Sequence, residues 1–306
     1  MNNSKDNSHE NHISTADAIL KCCKNYKDKV NVLSPAGCNR EVFAGVFAWA
    51  EAESKRVIYI SSGDSDEAHI LKSYGFKKGV VVSCNYNSAL YIDEKFDVVI
   101  YDEVSLKPMY SKKNVVKVME KLTHSYGTMI GYSFEKIFKD GEVIFNCDSE
   151  YPIVEPRSIV TKVKVTEDIP LNVYEYVKWS INTQRGVFIY IVDKEKLPNV
   201  HKSFIKIKPM LDVAVYNPED KGYEWMDKVN ILISDNIQYA SKRNIIVYYA
   251  DSMKFNYKDL IYISSMAGKG QEVLFVCSGE NKEIDKCKNL LRELNKRAWE
   301  HGLLKV

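Results

Sequence analysis

Residues 96–105 read FDVVIYDEVS. An apolar run here leads into two adjacent carboxylates, Asp102 and Glu103, so a buried strand would deliver both to its carboxyl-terminal end. Nucleotide-hydrolysing sites use such a pair with divided roles. The first carboxylate orders Mg²⁺ through water, and the second polarises the attacking water. The structural alternative is a solvated strand end, common in α/β proteins. A phosphate cradle elsewhere in the chain would favour the catalytic reading.

The candidate cradle follows VNVL at residues 30–33 and reads Ser34-Pro35-Ala36-Gly37-Cys38-Asn39-Arg40-Glu41. A P-loop sits between a strand and a helix. Its backbone amides wrap the phosphates, a Lys reaches the terminal oxygens, and a Ser/Thr hydroxyl ligates Mg²⁺. The context matches here, but the chemistry is altered. Aligned without gaps, Asn39 takes the place of the second Gly, Arg40 that of the Lys and Glu41 that of the Ser/Thr. Asn tolerates positive φ better than other side chains, though less well than Gly. Arg40 would meet phosphate as a planar fork rather than a point charge. Glu41 is the gravest change, because it supplies no hydroxyl and brings negative charge to a polyphosphate. At about 4 Å and an effective dielectric near 20, the repulsion is about 4 kcal/mol per charge pair, which a Mg²⁺ ion would offset in part. The alternative is an ordinary strand-to-helix turn.

The elements that would position these residues are readable in the 306-residue chain, whose length suggests two domains. A helix is expected from Ala18 to Tyr26, opened by Ser14-Thr15-Ala16-Asp17. Apolar runs at 30–34, 56–61, 79–83 and 97–102 alternate with helical stretches at 40–54 and 65–75. A helix at 113–124 and a strand at 127–133 follow. Strands apolar on both faces that alternate with helices predict parallel sheets covered on both sides. Asp140-Gly141 suggests a hairpin, and two prolines mark a connector near 152–156. A second series follows, with strands at 160–165, 186–192, 229–234, 243–250 and 272–277, a helix at 172–183, and a closing helix of about 20 residues from Lys282. Its Leu290, Leu291 and Leu294 form one stripe. The expected organisation is a disordered polar tail at 1–13, one lobe at 14–150, a linker at 151–158 and a second lobe at 159–306.

Composition bounds the function classes. Lys and Arg total 43 against 41 Asp and Glu, a formal charge of +2, so any basic surface must be a local patch. The seven cysteines (22, 23, 38, 84, 147, 277 and 287) form no C-x-x-C pair. Together with six scattered histidines they give no metal site by spacing, and they suggest reduced thiols in a cytoplasmic protein. The first residues lack the apolar core of a signal peptide, and no run approaches the ~20 apolar residues of a membrane span.

The order VNVLSPAG…REVFAG, KRVIYISS, VVVSCNYNSAL, FDVVIYDEVSLKP and YGTMIGYS resembles the first RecA-like domain of superfamily-two DEAD/DEAH-type helicases. Within that group it is most similar to the late-competence ComFA DNA-uptake ATPase family. GVFIYIV resembles the strand opening the second helicase lobe, and residues 231–236 and 244–277 resemble later motifs, so the resemblance runs from about residue 14 to 300. It implies α/β architecture with two tandem RecA-like parallel-sheet domains, the P-loop NTPase helicase core. It also implies ATP with Mg as cofactors, and single-stranded nucleic acid or a competence-machinery protein as partner. It assigns nucleotide binding to residues 34–41 (Ser34, Pro35, Ala36, Gly37, Asn39, Arg40 and Glu41) and catalysis to Asp102, Glu103 and Lys269. Coupling falls to Gly131, Tyr132 and Ser133, and nucleic-acid contact to Ser61, Ser62, Ser83, Asn85, Ser234 and Asn236. Residues 34–41, 102–103, 234–236 and 266–269 are expected to converge on a cleft.

The departures from the family's pattern are concentrated in the chemistry. Q-x-x-G-R-x-G-R is replaced by Tyr262-Ile263-Ser264-Ser265-Met266-Ala267-Gly268-Lys269, which leaves one positive charge where two arginines would stand. An arginine finger is worth about 10³–10⁵ in rate. The coupling motif lacks its Ala-Thr, and the family's four-cysteine zinc motif is absent. The expectation is therefore a degenerate helicase-like pseudo-enzyme with weak or no ATP hydrolysis. The alternatives are an active ATP-dependent single-stranded DNA translocase, using Arg40 for Lys and Lys269 for Arg, and an unrelated α/β binding protein. Two Lys/Tyr clusters, at 110–113 and 254–258, are candidates for binding single strands or ordinary solvated surface.

Overall fold

A computed structural model describes residues 14–34, 40–61, 79–103, 110–146, 151–165, 167–211, 215–216, 230–240 and 243–304. The chain forms two compact units, dividing between residues 148 and 149.

In the first unit, α1 (Thr15–Lys24) is capped by Ser14, whose hydroxyl accepts from the Asp17 amide at 3.1 Å. The helix ends before the expected Tyr26 because Tyr26 has φ 51°, the left-handed stop typical after a helix. Then come β1 (Lys29–Leu33), a 3₁₀ turn at Arg40–Phe43, α2 (Ala44–Ala52), β2 (Val57–Ser61), β3 (Val81–Asn85), the short α3 (Tyr86–Ala89), β4 (Phe96–Asp102), α4 (Lys112–Leu122), β5 (Thr123–Ser133) and β6 (Glu142–Phe145). The expected helix at 65–75 lies outside the described residues. The six strands pair in the order β3-β2-β4-β5-β1-β6, all parallel. One face packs on α3 and α4 through Ile58, Ile60, Val99, Tyr101, Val115 and Met119.

The expected hairpin at Asp140-Gly141 is absent, because β6 pairs parallel to β1. Gly141 is outside the left-handed region. A Cβ there would sit 2.9 Å from the Lys29 carbonyl oxygen, so this glycine serves a close approach rather than a turn. Buried Asn31 on β1 pins the crossing segment. Its side chain accepts from the amides of Ile137 and Phe138, each at 2.9 Å, and donates to the Phe138 carbonyl at 3.1 Å.

In the second unit the elements are β7 (Arg157–Val160), α5 (Leu171–Asn182), β8 (Val187–Ile191), α6 (Leu197–Leu211), β9 (Val215–Tyr216), β10 (Ile231–Ser234), β11 (Asn244–Tyr248), α7 (Tyr257–Ser265), β12 (Val273–Cys277) and α8 (Lys282–Glu300). The sheet order is β7-β12-β11-β8-β10-β9, again all parallel. The strand expected at 160–165 lies earlier in the chain. Its partner β12 ends at Cys277, opposite Val160, and the ladder closes with the Thr161 amide donating to the Cys277 carbonyl at 2.9 Å. The helix α6 escaped sequence reading because it contains Pro198 and Pro209, although proline is tolerated in a first turn. Along α8, Ile284, Cys287, Leu291, Leu294 and Ala298 are buried. The fold class is thus α/β with two parallel sheets, as the alternation of apolar runs and helices predicts.

Replacing Asn31 by Ala would strand two buried amides and a carbonyl. The expected loss is about 3 kcal/mol of stability, read from denaturant unfolding of Asn31→Ala beside the unsubstituted chain.

Candidate functional site

Parallel pairing brings the carboxyl ends of β1, β2, β4 and β5 to one edge of the first sheet. Register fixes what stands there. Ser61 on β2 lies opposite Asp102 on β4, which lies opposite Tyr132 on β5. Ser34 follows the pair Leu33–Ser133, and its amide donates to the Ser133 carbonyl at 3.0 Å. Side chains alternate along a strand. The polar groups of Ser34, Ser61, Asp102 and Tyr132 therefore form one row on one face. This is the crevice at strand ends where open α/β sheets bind ligands.

The row is filled by the protein's own side chains. The Tyr59 hydroxyl, two residues before Ser61 and on the same face, donates to the Asp102 carboxylate. The Ser34 hydroxyl and the Tyr132 hydroxyl are 2.9 Å apart, and Asn146 donates to both at 3.1 Å. Phe43, in the 3₁₀ turn after the candidate cradle, sets its ring edge-on to Tyr132 at 5.3 Å and to Tyr59 at 6.2 Å. Phe47 stands 6.4 Å from both Phe43 and Tyr59. Asp102 is consequently 0% exposed and Glu103 3%. The Glu103 amide donates to the Tyr132 carbonyl at 2.9 Å, which ties the pair to the β5 end. Tyr101, on the other face, has its hydroxyl pKa pushed well above the ordinary value by burial, then by the charges of Glu103 and Asp102.

These residues fit Mg·ATP poorly. A carboxylate that orders a metal through water needs an open, solvated side, and that of Asp102 is fully buried under the Tyr59 hydroxyl. Ser34 is likewise buried, between the Tyr132 hydroxyl and the Asn146 amide. Glu41 is exposed, in the turn where a metal-ligating hydroxyl would be required. Pro35, Ala36, Gly37 and Asn39 lie outside the described residues, as does Ser62; Arg40 opens the 3₁₀ turn. Gly131 is required by packing, since a Cβ there would meet the Ile137 side chain at 2.9 Å. Ser133 donates to the Glu135 carbonyl. Ser83 falls in mid-strand, because β3 begins two residues later than expected. Asn85 is the cap of α3, accepting from the Ser88 amide at 2.8 Å.

In the second unit, Ser234 ends β10 buried and accepts from the amide of exposed Asn236 at 3.0 Å. The Lys269 ammonium donates to the Tyr151 hydroxyl at 2.5 Å and lies 3.8 Å from that ring's centre. The two Lys/Tyr clusters are largely absorbed by structure. Tyr110 stacks on Tyr86 at 3.7 Å, and Lys112 pairs with Glu135 at 3.2 Å. Lys254 pairs with Asp193 at 3.2 Å, Asn256 caps α7, and Lys258 is buried. Sequence reading missed Tyr59, Phe43 and Asn146. For Tyr59 a signal existed, since in VIYIS it shares a strand face with Ser61.

No protein-family model and no curated protein matches the chain. Among solved structures, the helicase domain of Pyrococcus furiosus Hef aligns at TM-score 0.46 and 8% identity, over 89% of this chain and 96% of that one. The DUF1998 helicase MrfA, in a crystal structure bound to DNA and AMPPNP, aligns at TM-score 0.51 and 10% identity, over 92% of this chain and 50% of that one. The likeness to MrfA is one of fold, and this chain spans half of that protein. What is shared with MrfA is the α/β fold with parallel sheets.

Tyr59→Phe should cost about 2 kcal/mol, because it removes a hydrogen bond to the buried Asp102 and leaves an acceptor unsatisfied. Measured with Asp102→Ala and the double variant in a thermodynamic cycle, the two positions should couple by a similar amount.

Proposed function

We propose that this chain is a helicase-fold protein that binds single-stranded nucleic acid, or a protein of a DNA-uptake machinery, with little or no ATP hydrolysis. The observation that carries the reading is the closure of Asp102. Its carboxylate is fully buried beneath Tyr59, within a crevice roofed by Phe43 and bridged by Asn146. A carboxylate covered in this way presents no open side to a metal ion or to an attacking water. The altered cradle adds to this, since Glu41 brings charge where a hydroxyl is needed. Lys269 supports it too, because its ammonium is engaged by Tyr151.

The nucleic-acid half of the proposal draws on the shared fold with MrfA, a helicase described as bound to DNA and AMPPNP, and on the resemblance to competence ATPases. The same comparison makes nucleotide binding without turnover compatible with the proposal.

The test is Mg·ATP calorimetry followed by phosphate-release assays with and without single-stranded DNA. Release should stay at or below about 10⁻³ s⁻¹, the scale of NTPases lacking an arginine finger, and DNA should not raise it. DNA-stimulated release that Asp102→Asn abolishes would establish the translocase instead.

A further inference from the structure

The carboxyl edge of the second sheet carries a groove of about 400 Å³, within the range of small-ligand sites. Three strand ends build it. Thr161 and Lys162 follow β7, Ser278 follows β12, and Tyr249 and Asp251 follow β11. Lys164 and Lys196 complete the polar lining. One wall is apolar, with Val163 43% exposed over buried Val165 and Val276.

Three lysines and one acid, Asp251, are among the residues that line the groove. Lys162 has no ion-pair or hydrogen-bond partner among the described residues. Among the described residues Lys164 pairs with exposed Glu167, at 3.2 Å, a contact of little energetic worth. Lys196 has Asp193 at 3.6 Å and stands 4.0 Å from the centre of the Tyr249 ring. Asp251 is held as an oriented acceptor by the Ser278 amide at 3.0 Å and by the Ser278 hydroxyl.

Tyr249 itself is under constraint. Four described non-glycine residues have positive φ. Tyr26, Ser54 and Gln184 each come two residues after a helix, where a left-handed residue is the usual stop. Tyr249, at φ 57°, follows a strand. For a bulky side chain that conformation is costly, and such strain gathers at binding sites. Cys277, which also lines the groove, is not an activated thiol, because burial, then the charges of Asp251 and Glu280, push it up to about 11.

We infer that this groove binds a nucleotide. Lys162 and Lys164 take the phosphate, Val163 and the Lys196–Tyr249 pair flank the base, and Asp251 accepts from a sugar hydroxyl or a base amino group. One unit of a single strand and a free mononucleotide share this chemistry. In the first case the inference rests on the nucleic-acid reading above and gives it a location.

Two variants test it. Lys162→Glu/Lys164→Glu reverses exposed charges. Tyr249→Gly removes the ring while suiting the left-handed backbone. Binding of a labelled oligothymidylate of about 15 nucleotides is measured by anisotropy across a salt series, and binding of thymidine monophosphate by calorimetry. The charge variant should lose more than about tenfold in strand affinity. Its log–log salt slope should fall by about 1.4, at roughly 0.7 per phosphate contact. Tyr249→Gly should weaken binding with its melting temperature preserved. Monophosphate binding that the variants lose, with no strand binding, would keep the groove with the free mononucleotide as its ligand and sink the nucleic-acid reading. Strand binding unchanged in both variants, with no monophosphate binding, would overturn the groove and leave that reading standing. If the unsubstituted chain binds neither ligand, both fall.

Discussion

A parallel pair of strands cannot be closed by a short turn, so each strand must be followed by a segment that carries the chain back across the sheet. Every strand pair described in both units is parallel. All carboxyl ends of a sheet therefore meet at one edge, and whatever residues end the strands become neighbours. Ser34, Ser61, Asp102 and Tyr132 are separated by up to 98 positions in sequence yet share a row. The groove of the second unit arises in the same way, from the ends of β7, β11 and β12.

Much of the scaffold was legible in the chain. Apolar runs such as VIYIS and DVVIYD alternate with helical stretches, and strands buried on both faces have this composition. The boundary errors have physical causes. Tyr26 adopts a left-handed conformation and stops α1 early, and β7 stops where β12 no longer pairs with it. Asp140-Gly141 carried the local signature of a hairpin, but Gly141 answers to the nearby Lys29 backbone and Asn31 anchors the segment before it. Contacts between residues more than a hundred positions apart leave no mark in a local pattern.

The candidate site was legible in its letters and opaque in its geometry. Asp102 and Glu103 announce themselves as carboxylates at a strand end. Their burial depends on Tyr59 from another strand and Phe43 from the turn beyond the cradle, and neither carries a motif. The Lys/Tyr clusters show the converse. Adjacent in sequence, their members are drawn into separate tasks: a stack under Tyr86, a cap for α7, an ion pair with Asp193. In the groove the fold adds a remote member instead: Lys196 comes to the space that Lys162 and Lys164 line from one short segment.

The hydrogen bond from Tyr59 to Asp102 also bears on how this sequence can change over time. Opening the carboxylate requires removing a buried aromatic side chain, and truncations of that kind cost about 3–5 kcal/mol through the cavity they leave. A domain stable by about 5–15 kcal/mol tolerates few such steps. Each step that would expose Asp102 is therefore first a loss of stability, whatever it later gains. The packed crevice acts as an evolutionary ratchet, holding the lineage to sequences that keep the carboxylate covered.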